Sequence, residues 1–382
     1  MLKFLRMLAI ILVSLIALIS IFALVSGKTY LFKAVAYNFA DIDDYTIFPN
    51  NTVSTGNPQP LLVSADLNKT KLPPDLDSLL RKLETVSFLV IKNDQVIMEH
   101  YWDGYSDSSL SNSFSMAKSI TSLLIGTAIK DGLIGSVNDP VGKYLPEFNE
   151  GRKKELKIVD LLTMSSGSDW DESYANPLSV TTEIYYGDHA NETAASVNIV
   201  KTPGSEHNYK SGDTQLLGMI IEKVTGKSLS SYASEKLWKP LGAEHPALWS
   251  ADKEGGNEKA YCCFNSNARD FARIGLMMLD SGRWKGNEII SRDYFEASVK
   301  PCMIPDEKGN ACNYYGYQWW IYPDEERIFY ARGILGQYII VIPSKKVVMV
   351  RLGKKRSSKR INNTFEEVDQ MINFAKKHLR EL

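Results

Sequence analysis

The chain has 382 residues, and its 44 lysines and arginines nearly balance its 45 aspartates and glutamates, leaving a net charge of -1. This balance creates no positive field for nucleic acid, so we expect no nucleic-acid partner. The five histidines include no HExxH or similar ligand spacing, so we expect neither a metal site nor a cofactor.

The first 28 residues contain two basic residues followed by a long apolar segment. Lys3 and Arg6 precede an uncharged run, residues 7–27, that is long enough to cross a membrane as a helix. Basic residues before such a run favour a cytoplasmic N-terminus and export of the residues after it. We predict a transmembrane anchor over residues 1–28, with a cleaved signal peptide as the alternative. The rest of the chain then faces the periplasm or exterior, or is secreted after cleavage.

The remaining chain divides into a linker or arm, residues 29–72, and one domain, residues 73–382. The periodicity of apolar residues predicts helices at 75–85 and 364–378, and strands at 86–92, 95–102, 328–331, 337–342 and 347–352. Between these two groups, residues of about 115–300 have a mostly helical pattern. The predicted fold class is α+β, an antiparallel sheet of about five strands flanked by terminal helices, with an inserted helical region that meets it at a cleft.

The segment after Ser115 has the composition of a helix buried on nearly all sides. Lys118 is its one charge before Lys130. A buried lysine is costly unless it has a partner, and Ser115, one turn earlier, lies on the same face. The Ser115 N–H at the helix N-terminus could also stabilise an oxyanion. We predict that Ser115 is a nucleophile and Lys118 its proton-transfer partner, although this spacing also occurs by chance.

Tyr209 lies just before a second apolar helix, predicted over residues 213–224. Its phenol is too weak a base near neutrality unless an ammonium stabilises the phenolate. We therefore predict that Lys118 and Tyr209 form a couple that carries the Ser115 proton to the leaving group. The alternative is a packing tyrosine, since the chain has 19.

The chain has four cysteines, and their pairing is left open. Cys302 and Cys312 flank a turn-rich stretch that suits a short-loop disulfide, whereas pairing the adjacent Cys262 and Cys263 would be strained. Four cysteines allow three connectivities, and buried free thiols are equally compatible with the sequence.

Gly333 and Ile334 begin an inner strand. A glycine at this point would let substrate lie against the strand edge, and the Ile334 N–H could be a second oxyanion donor. A glycine bulge explains the same residues locally.

These three segments, in this order, resemble the S-x-x-K, Y-x-N and K-T-G elements of the serine β-lactamase and penicillin-binding-protein superfamily. Further segments carry the resemblance to class C-like members and to the 6-aminohexanoate-dimer hydrolase-like branch: residues 158–167, 218–229, 238–243, 267–275 and 315–320. The resemblance implies a β-lactamase/transpeptidase-like fold. It also implies a catalytic trio of Ser115, Lys118 and Tyr209, an oxyanion hole of the Ser115 and Ile334 amides, and substrate contacts from Tyr174, Asn265, Ser211 and Gly333.

Two departures from the family pattern shape the expected function. Ser211 stands where many relatives have asparagine, and Arg332 precedes Gly333 where β-lactamases have Lys-Thr. Without that lysine we favour an exported hydrolase of small ester or amide substrates, or short peptides. The alternatives are a D,D-peptidase or β-lactamase, a Ser-His-Asp esterase using His207, and a non-catalytic envelope binding protein.

Overall fold

The computed structural model describes residues 2–361 and 364–379. The helices are α1 Leu2–Val25, α2 Tyr30–Tyr37, α3 Pro74–Lys82, α4 Met116–Lys130, α5 Ile158–Leu162, α6 Val180–Tyr186, α7 Ala190–Ala195, α8 Ser211–Thr225, α9 Leu229–Ala233, α10 Ala268–Leu279, α11 Arg292–Ser298 and α12 Glu366–His378. The strands are β1 Asn50–Val53, β2 Leu62–Val63, β3 Thr85–Lys92, β4 Gln95–Tyr101, β5 Ser111–Asn112, β6 Ala247–Ser250, β7 Phe264–Ser266, β8 Arg283–Trp284, β9 Asn287–Glu288, β10 Trp320–Ile321, β11 Phe329–Gly333, β12 Gln337–Ile342, β13 Val347–Gly353, β14 Arg360–Ile361 and β15 Thr364–Phe365.

The main sheet has the order β10-β11-β12-β13-β3-β4-β2. All five predicted strands form its centre and pair antiparallel. The prediction of about five strands was too low, because two two-residue edge strands extend the sheet at either side. One of them, β2, runs parallel to β4, so the sheet is not wholly antiparallel. Segments this short carry no detectable alternation in the sequence. The predicted α+β class is confirmed.

The two faces of this sheet are covered by different helices, because successive strand residues point to opposite sides. On β12, Ile339 and Val341 join the larger core with α4 and α10, whereas Ile340 packs with α3 and α12 on the other face. Gly275 lets α10 pack closely on β13, since a Cβ at this position would lie 2.5 Å from the side chain of Val348. The central strands are therefore buried on both faces.

Residues 29–72 lie against the domain through short elements. Strand β1 pairs with β6 in a second sheet of order β1-β6-β7-β5, and β2 joins the main sheet. Helix α2 contributes Tyr30 and Leu31 to a small apolar cluster with Phe48 and Tyr186. The inserted region is mostly helical, as predicted, but it also contributes β6 and β7 to the second sheet.

Helix α1 extends away from the domain with its apolar side chains exposed. Lys3–Val25 has a mean hydropathy of 3.1, and only 6% of its most apolar stretch is buried. Its length and composition are enough to cross a membrane. A signal sequence has the same properties, so the helix is compatible with either an anchor or a cleaved signal.

The structure decides the cysteine pairing that the sequence left open. Cys262 and Cys263, whose pairing the sequence analysis considered strained, form a disulfide, with Cys263 at a φ of 66°. Cys302 and Cys312 are free thiols in the structure. The disulfide between these adjacent residues forms with Cys263 in a left-handed backbone conformation. The residue type alone does not indicate this conformation.

Candidate active site

Ser115 lies at the junction between β5 and α4. Phe114, immediately before it, has a φ of 43°, a left-handed conformation that turns the chain sharply into the helix. The amide of Phe114 donates to the side chain of Asn112 at 2.8 Å, which holds this turn. Ser115 is the residue preceding the first helical position, so its N–H has no partner within the helix. The turn thus presents both the hydroxyl and the amide of Ser115 at a helix N-terminus.

Lys118 lies one turn into α4 and is 1% exposed. Its ammonium donates to Ser115 Oγ at 3.1 Å, to Ser211 Oγ at 3.1 Å and to the carbonyl oxygen of Tyr261 at 2.9 Å. These three contacts use all three of its donors. The predicted burial of α4 is confirmed, since nearly every side chain from Met116 to Ala128 is buried.

Tyr209 lies beside this lysine, but its hydroxyl is not one of the three acceptors. The Lys118 ammonium is 5.1 Å from the centroid of the Tyr209 ring. The ring is half-buried and packs on Tyr315 and Trp320, with centroids 6.1 Å and 5.7 Å away. The structure therefore brings Tyr209 and Lys118 together through the ring face, rather than through the hydroxyl contact that a direct proton couple requires.

Ser211 connects Lys118 to a carboxylate that the sequence analysis did not select. Its hydroxyl donates to Glu172 Oε1 and its amide to Glu172 Oε2, each at 2.7 Å. Trp170 Nε1 donates to Glu172 Oε2 at 2.8 Å and Tyr174 Oη to Glu172 Oε1 at 2.6 Å. The Ser211 hydroxyl is therefore used inside the protein, which argues against the predicted substrate contact. Glu172 supplies the negative charge nearest to this hydroxyl network.

Tyr174 points its hydroxyl inward although the residue as a whole is 57% exposed. Burial of the hydroxyl, with the Glu172 charge beside it, raises the pKa of Tyr174 well above its ordinary value. The phenol is therefore a hydrogen-bond donor and not a base at neutral pH. The exposed ring remains the part of Tyr174 that could meet a substrate.

Gly333 packs directly against the segment that precedes the nucleophile. A Cβ at this position would lie 2.2 Å from the carbonyl oxygen of Ser113. The glycine is therefore required by the close approach of β11 to this segment, and the space at its Cα is filled by protein. This packing explains the glycine without a substrate contact, and it places β11 next to the segment that leads into Ser115.

Asn265 is fully buried on β7, which argues against the predicted substrate contact. Its amide nitrogen donates to the carbonyl oxygens of Leu248 and Cys263 and to Ser250 Oγ. These bonds brace the second sheet, whose strand β5 leads into the Ser115 turn. Neither the residue type nor its position in the motif revealed that the side chain is enclosed by bonds within the second sheet.

A groove of about 700 Å³ opens beside Tyr209 and is lined by side chains that include His207, Tyr314, Trp320, Arg332 and Arg360. Arg332 stacks on Trp320, with its guanidinium carbon 3.3 Å from the ring centroid. Within the described residues, its Nη1 has no hydrogen-bond partner. A second cavity of about 710 Å³ contains none of the predicted site residues.

Asp213, in the first turn of α8, is a buried carboxyl close to this network. Burial raises the pKa of Asp213 to about 7, against the opposing effect of a hydrogen bond from Ser166. Burial also lowers the pKa of Lys210, whose ammonium donates to the carbonyl oxygen of Ser168. The segment around Tyr209 therefore carries one carboxyl, that of Asp213, with a pKa of about 7.

His207, the candidate for a Ser-His-Asp esterase, has no carboxylate on its Nδ1. That nitrogen is 2.9 Å from the carbonyl oxygen of Thr163. The Ser115 hydroxyl contacts Lys118, so the observed pair is serine with lysine. His207 instead lies beside Cys302 and Cys312, with the possible ligand atoms of all three within 4.8 Å of one another. No metal site was expected from the sequence, because residues so far apart in the chain form no recognisable ligand spacing.

Comparison with known proteins identifies the family. Residues 76–367 match the Beta-lactamase family. The chain is 29% identical over 330 residues to the 6-aminohexanoate-dimer hydrolase of Paenarthrobacter ureafaciens, covering 80% of this chain and 82% of that protein. It is also 29% identical to a "Putative D-alanyl-D-alanine carboxypeptidase" of Escherichia coli (strain K12), but only over 42% of each chain.

Solved structures show the same fold. A "Putative 6-aminohexanoate-dimer hydrolase from Bacillus anthracis" has a TM-score of 0.73 at 23% identity, covering 86% of this chain and 90% of that one. The predicted resemblance to the serine β-lactamase and penicillin-binding-protein superfamily is confirmed. The chain belongs to the Beta-lactamase family and is a serine hydrolase of the amidase or esterase kind.

Proposed function

We propose that the chain hydrolyses ester or amide bonds through an acyl-enzyme on Ser115, with Lys118 as the base that accepts the serine proton. One observation carries this proposal: Lys118 Nζ lies 3.1 Å from Ser115 Oγ in a buried environment. This distance is within the range for direct proton transfer. The similarity to hydrolases of amide bonds supports the same chemistry.

The partners of Lys118 indicate which of its contacts carries the proton. To act as a base, Lys118 must first lose a proton, and the neutral amine then has two N–H donors and one lone pair. The carbonyl of Tyr261 can only accept, and the Ser211 hydroxyl already donates to Glu172, so both accept from Lys118. The lone pair is then directed at the remaining contact, the Ser115 hydroxyl. Glu172 and Ser211 thus orient the amine so that it can accept the Ser115 proton.

The remaining steps use the segments around this pair. Ser115 attacks the carbonyl carbon, and the amides of Ser115 and Ile334 hold the oxyanion of the tetrahedral intermediate. Tyr209, on the groove side, gives its phenolic proton to the leaving group and is reprotonated by Lys118, which holds the proton taken from Ser115. Water then attacks the acyl carbon while Lys118 takes its proton, and that proton returns to Ser115 Oγ as the free acid leaves. The Tyr209 side chain must move so that its hydroxyl reaches Lys118 when the leaving group is protonated, because the resting contact is with its ring.

The proposal is tested by kinetics on short-chain nitrophenyl esters and linear amides. Ser115→Ala should abolish turnover, and Lys118→Ala should lower kcat by roughly 10²–10⁴-fold, the usual contribution of a general base. Ser119→Ala is the matched control, because this hydroxyl lies on the same helix and bonds the carbonyl of Gln318. Turnover near the wild-type rate in the Ser115 variant would refute the proposal.

Labelling separates the enzyme from a non-catalytic binding protein with the same cleft. A fluorophosphonate should form an adduct on Ser115, detected by mass spectrometry of the peptide. The absence of an adduct on a folded protein, together with no turnover of any substrate, would favour the binding protein.

A second candidate, a carboxypeptidase of short peptides, is favoured by Arg332. Arg332 lines the groove beside Tyr209, and its buried Nη1 has no hydrogen-bond partner among the described residues, so the side chain could receive a substrate carboxylate in place of the missing lysine. Similarity to D-alanyl-D-alanine carboxypeptidases supports this alternative. Preference for peptides with a free over an amidated C-terminus, lost in Arg332→Gln, would select it over a general esterase.

We also propose that α1 keeps the domain on the outer side of a membrane. The exposed apolar helix, with Lys3 and Arg6 at its start, supports this orientation. Edman sequencing of the mature N-terminus distinguishes an uncleaved anchor from a removed signal peptide.

A further inference from the structure

We propose that His207, Cys302 and Cys312 form a zinc-binding site that ties the loop between α11 and β10 to the segment carrying Tyr209. The possible ligand atoms of the three side chains all lie within 4.8 Å of one another. His207 and Cys312 are buried, and Cys302 is half-buried, which leaves a path from solvent. Two thiolates and one imidazole are a ligand set that zinc accepts.

The backbone holds the two sulfurs on one side of a hairpin-like loop. The Met303 amide donates to the Cys312 carbonyl at 3.0 Å, and the Cys312 amide donates to the Ile304 carbonyl at 2.9 Å. The Cys302 amide is fixed separately by the carbonyl of Tyr315 at 2.9 Å. The sulfurs are therefore positioned by main-chain hydrogen bonds that do not depend on any bridge between them.

The same loop also positions His207. Its amide donates to the Pro305 carbonyl at 2.8 Å, and its ring lies between Tyr314 and Tyr315, with centroids 5.6 Å and 5.2 Å away. His207 is 95 positions before Cys302, so the contact closes a long stretch of chain. A residue distant in sequence is thus held beside both thiols by backbone and ring contacts.

The tautomer of His207 is the one a metal requires. The Thr163 carbonyl can only accept, so Nδ1, at 2.9 Å, must carry the proton and donate. A neutral imidazole protonated on Nδ1 has its free lone pair on Nε2. A backbone carbonyl on the second ring nitrogen is the arrangement that usually orients a histidine ligand.

The fourth coordination position is left to water or a solute anion. Asp306, on the same loop, is not among the ligand atoms that lie within 4.8 Å of one another, and its Oδ1 accepts the amides of Lys308 and Asn310 at 2.9 Å and 2.8 Å. His207 also lines the groove beside Tyr209. The proposed role of the ion is positional: it fixes the chain two residues before Tyr209 and takes no part in the acyl transfer.

A disulfide between Cys302 and Cys312 is the competing use of these thiols. A disulfide would leave the His207 imidazole without a role, although the fold holds this ring beside both sulfurs with the Nε2 lone pair free to bind a metal. The structure therefore favours the metal.

The test uses the full chain in detergent, reduced and freed of metal, and then given one equivalent of zinc. After gel filtration, inductively coupled plasma mass spectrometry should find one zinc per chain. Cys302→Ser, Cys312→Ser and His207→Gln should each weaken binding by more than roughly 100-fold, since even indirect partners of a ligand change affinity 10–100-fold. His189→Gln, an exposed histidine paired with Asp188, is the matched control and should retain zinc.

Cobalt gives a readout that does not depend on the variants folding. Wild-type protein loaded with Co²⁺ should show the thiolate-to-cobalt absorption and visible bands of a tetrahedral site. Failure of the reduced wild-type protein to retain zinc, or equal retention by a Cys302→Ser/Cys312→Ser variant, would overturn the proposal. So would a Cys302–Cys312 disulfide that forms in the presence of zinc.

Discussion

Replacing Glu172 by glutamine tests whether this carboxylate organises the active site. Its two oxygens accept four donors: the hydroxyl and amide of Ser211, the indole of Trp170 and the hydroxyl of Tyr174. A glutamine has one acceptor oxygen, so in either orientation its NH₂ group faces two of these donors. Trp170 has a second acceptor in Thr181 Oγ1 at 3.2 Å, and the largely exposed Tyr174 side chain can turn its hydroxyl out to solvent.

Ser211 has no second acceptor among the described residues. In either orientation of the glutamine side chain, the NH₂ group therefore faces one of its two buried donors, the hydroxyl or the amide. An unsatisfied buried donor costs about 1–3 kcal/mol, and the lost charge assistance adds about 1 kcal/mol. We expect Glu172→Gln to lower the free energy of unfolding by about 3 kcal/mol. Because Ser211 then no longer orients Lys118, kcat should fall roughly 10–100-fold, part of the general-base contribution.

Urea unfolding followed by tryptophan fluorescence gives the stability change, and nitrophenyl ester hydrolysis gives kcat. Asp171→Asn is the matched control, because this neighbouring carboxylate is exposed and, among the described residues, accepts only the amide of Ser173. A Glu172→Gln protein with an unchanged unfolding midpoint and unchanged kcat would refute the role given to this network. A loss of stability with full activity would limit Glu172 to folding.

Three further perturbations test other parts of the molecule. Gly333→Ala must push β11 away from the Ser113 carbonyl, so we expect the free energy of unfolding, measured in urea, to fall by about 1–3 kcal/mol. We also expect kcat to change by a larger factor than KM, and wild-type kinetics would contradict this expectation. Burial raises the pKa of Asp213 to about 7, so between pH 4 and 7 the folded state binds more protons than the unfolded state, and the free energy of unfolding falls as pH rises. Asp213→Asn should flatten that slope over this range, and an unaltered slope would show that the carboxyl titrates normally. Deleting residues 2–27 should move the protein from the membrane pellet to the supernatant after ultracentrifugation, unless the segment is already cleaved.

The helix of Ser115 shows how much of the site could be predicted. Its uncharged composition indicated complete burial, and burial made a partner for Lys118 necessary, which the structure provides in Ser115. Asn265 shows the limit, because motif position placed it in the cleft and its side chain points into the second sheet. The orientation of a side chain on a two- or three-residue strand depends on register, which these short segments do not encode.

The sequence by itself determined the local elements and the family. Periodicity located the five central strands, and the serine, tyrosine and glycine segments indicated a β-lactamase-like chain, because these signals lie within a few consecutive residues. Tertiary structure alone decided the partners: Glu172 for Ser211, Ser113 for Gly333, and His207 for two cysteines far along the chain. Each of these contacts joins residues tens to hundreds of positions apart, and only the packing of the sheet, its helices and their loops brings them within bonding distance.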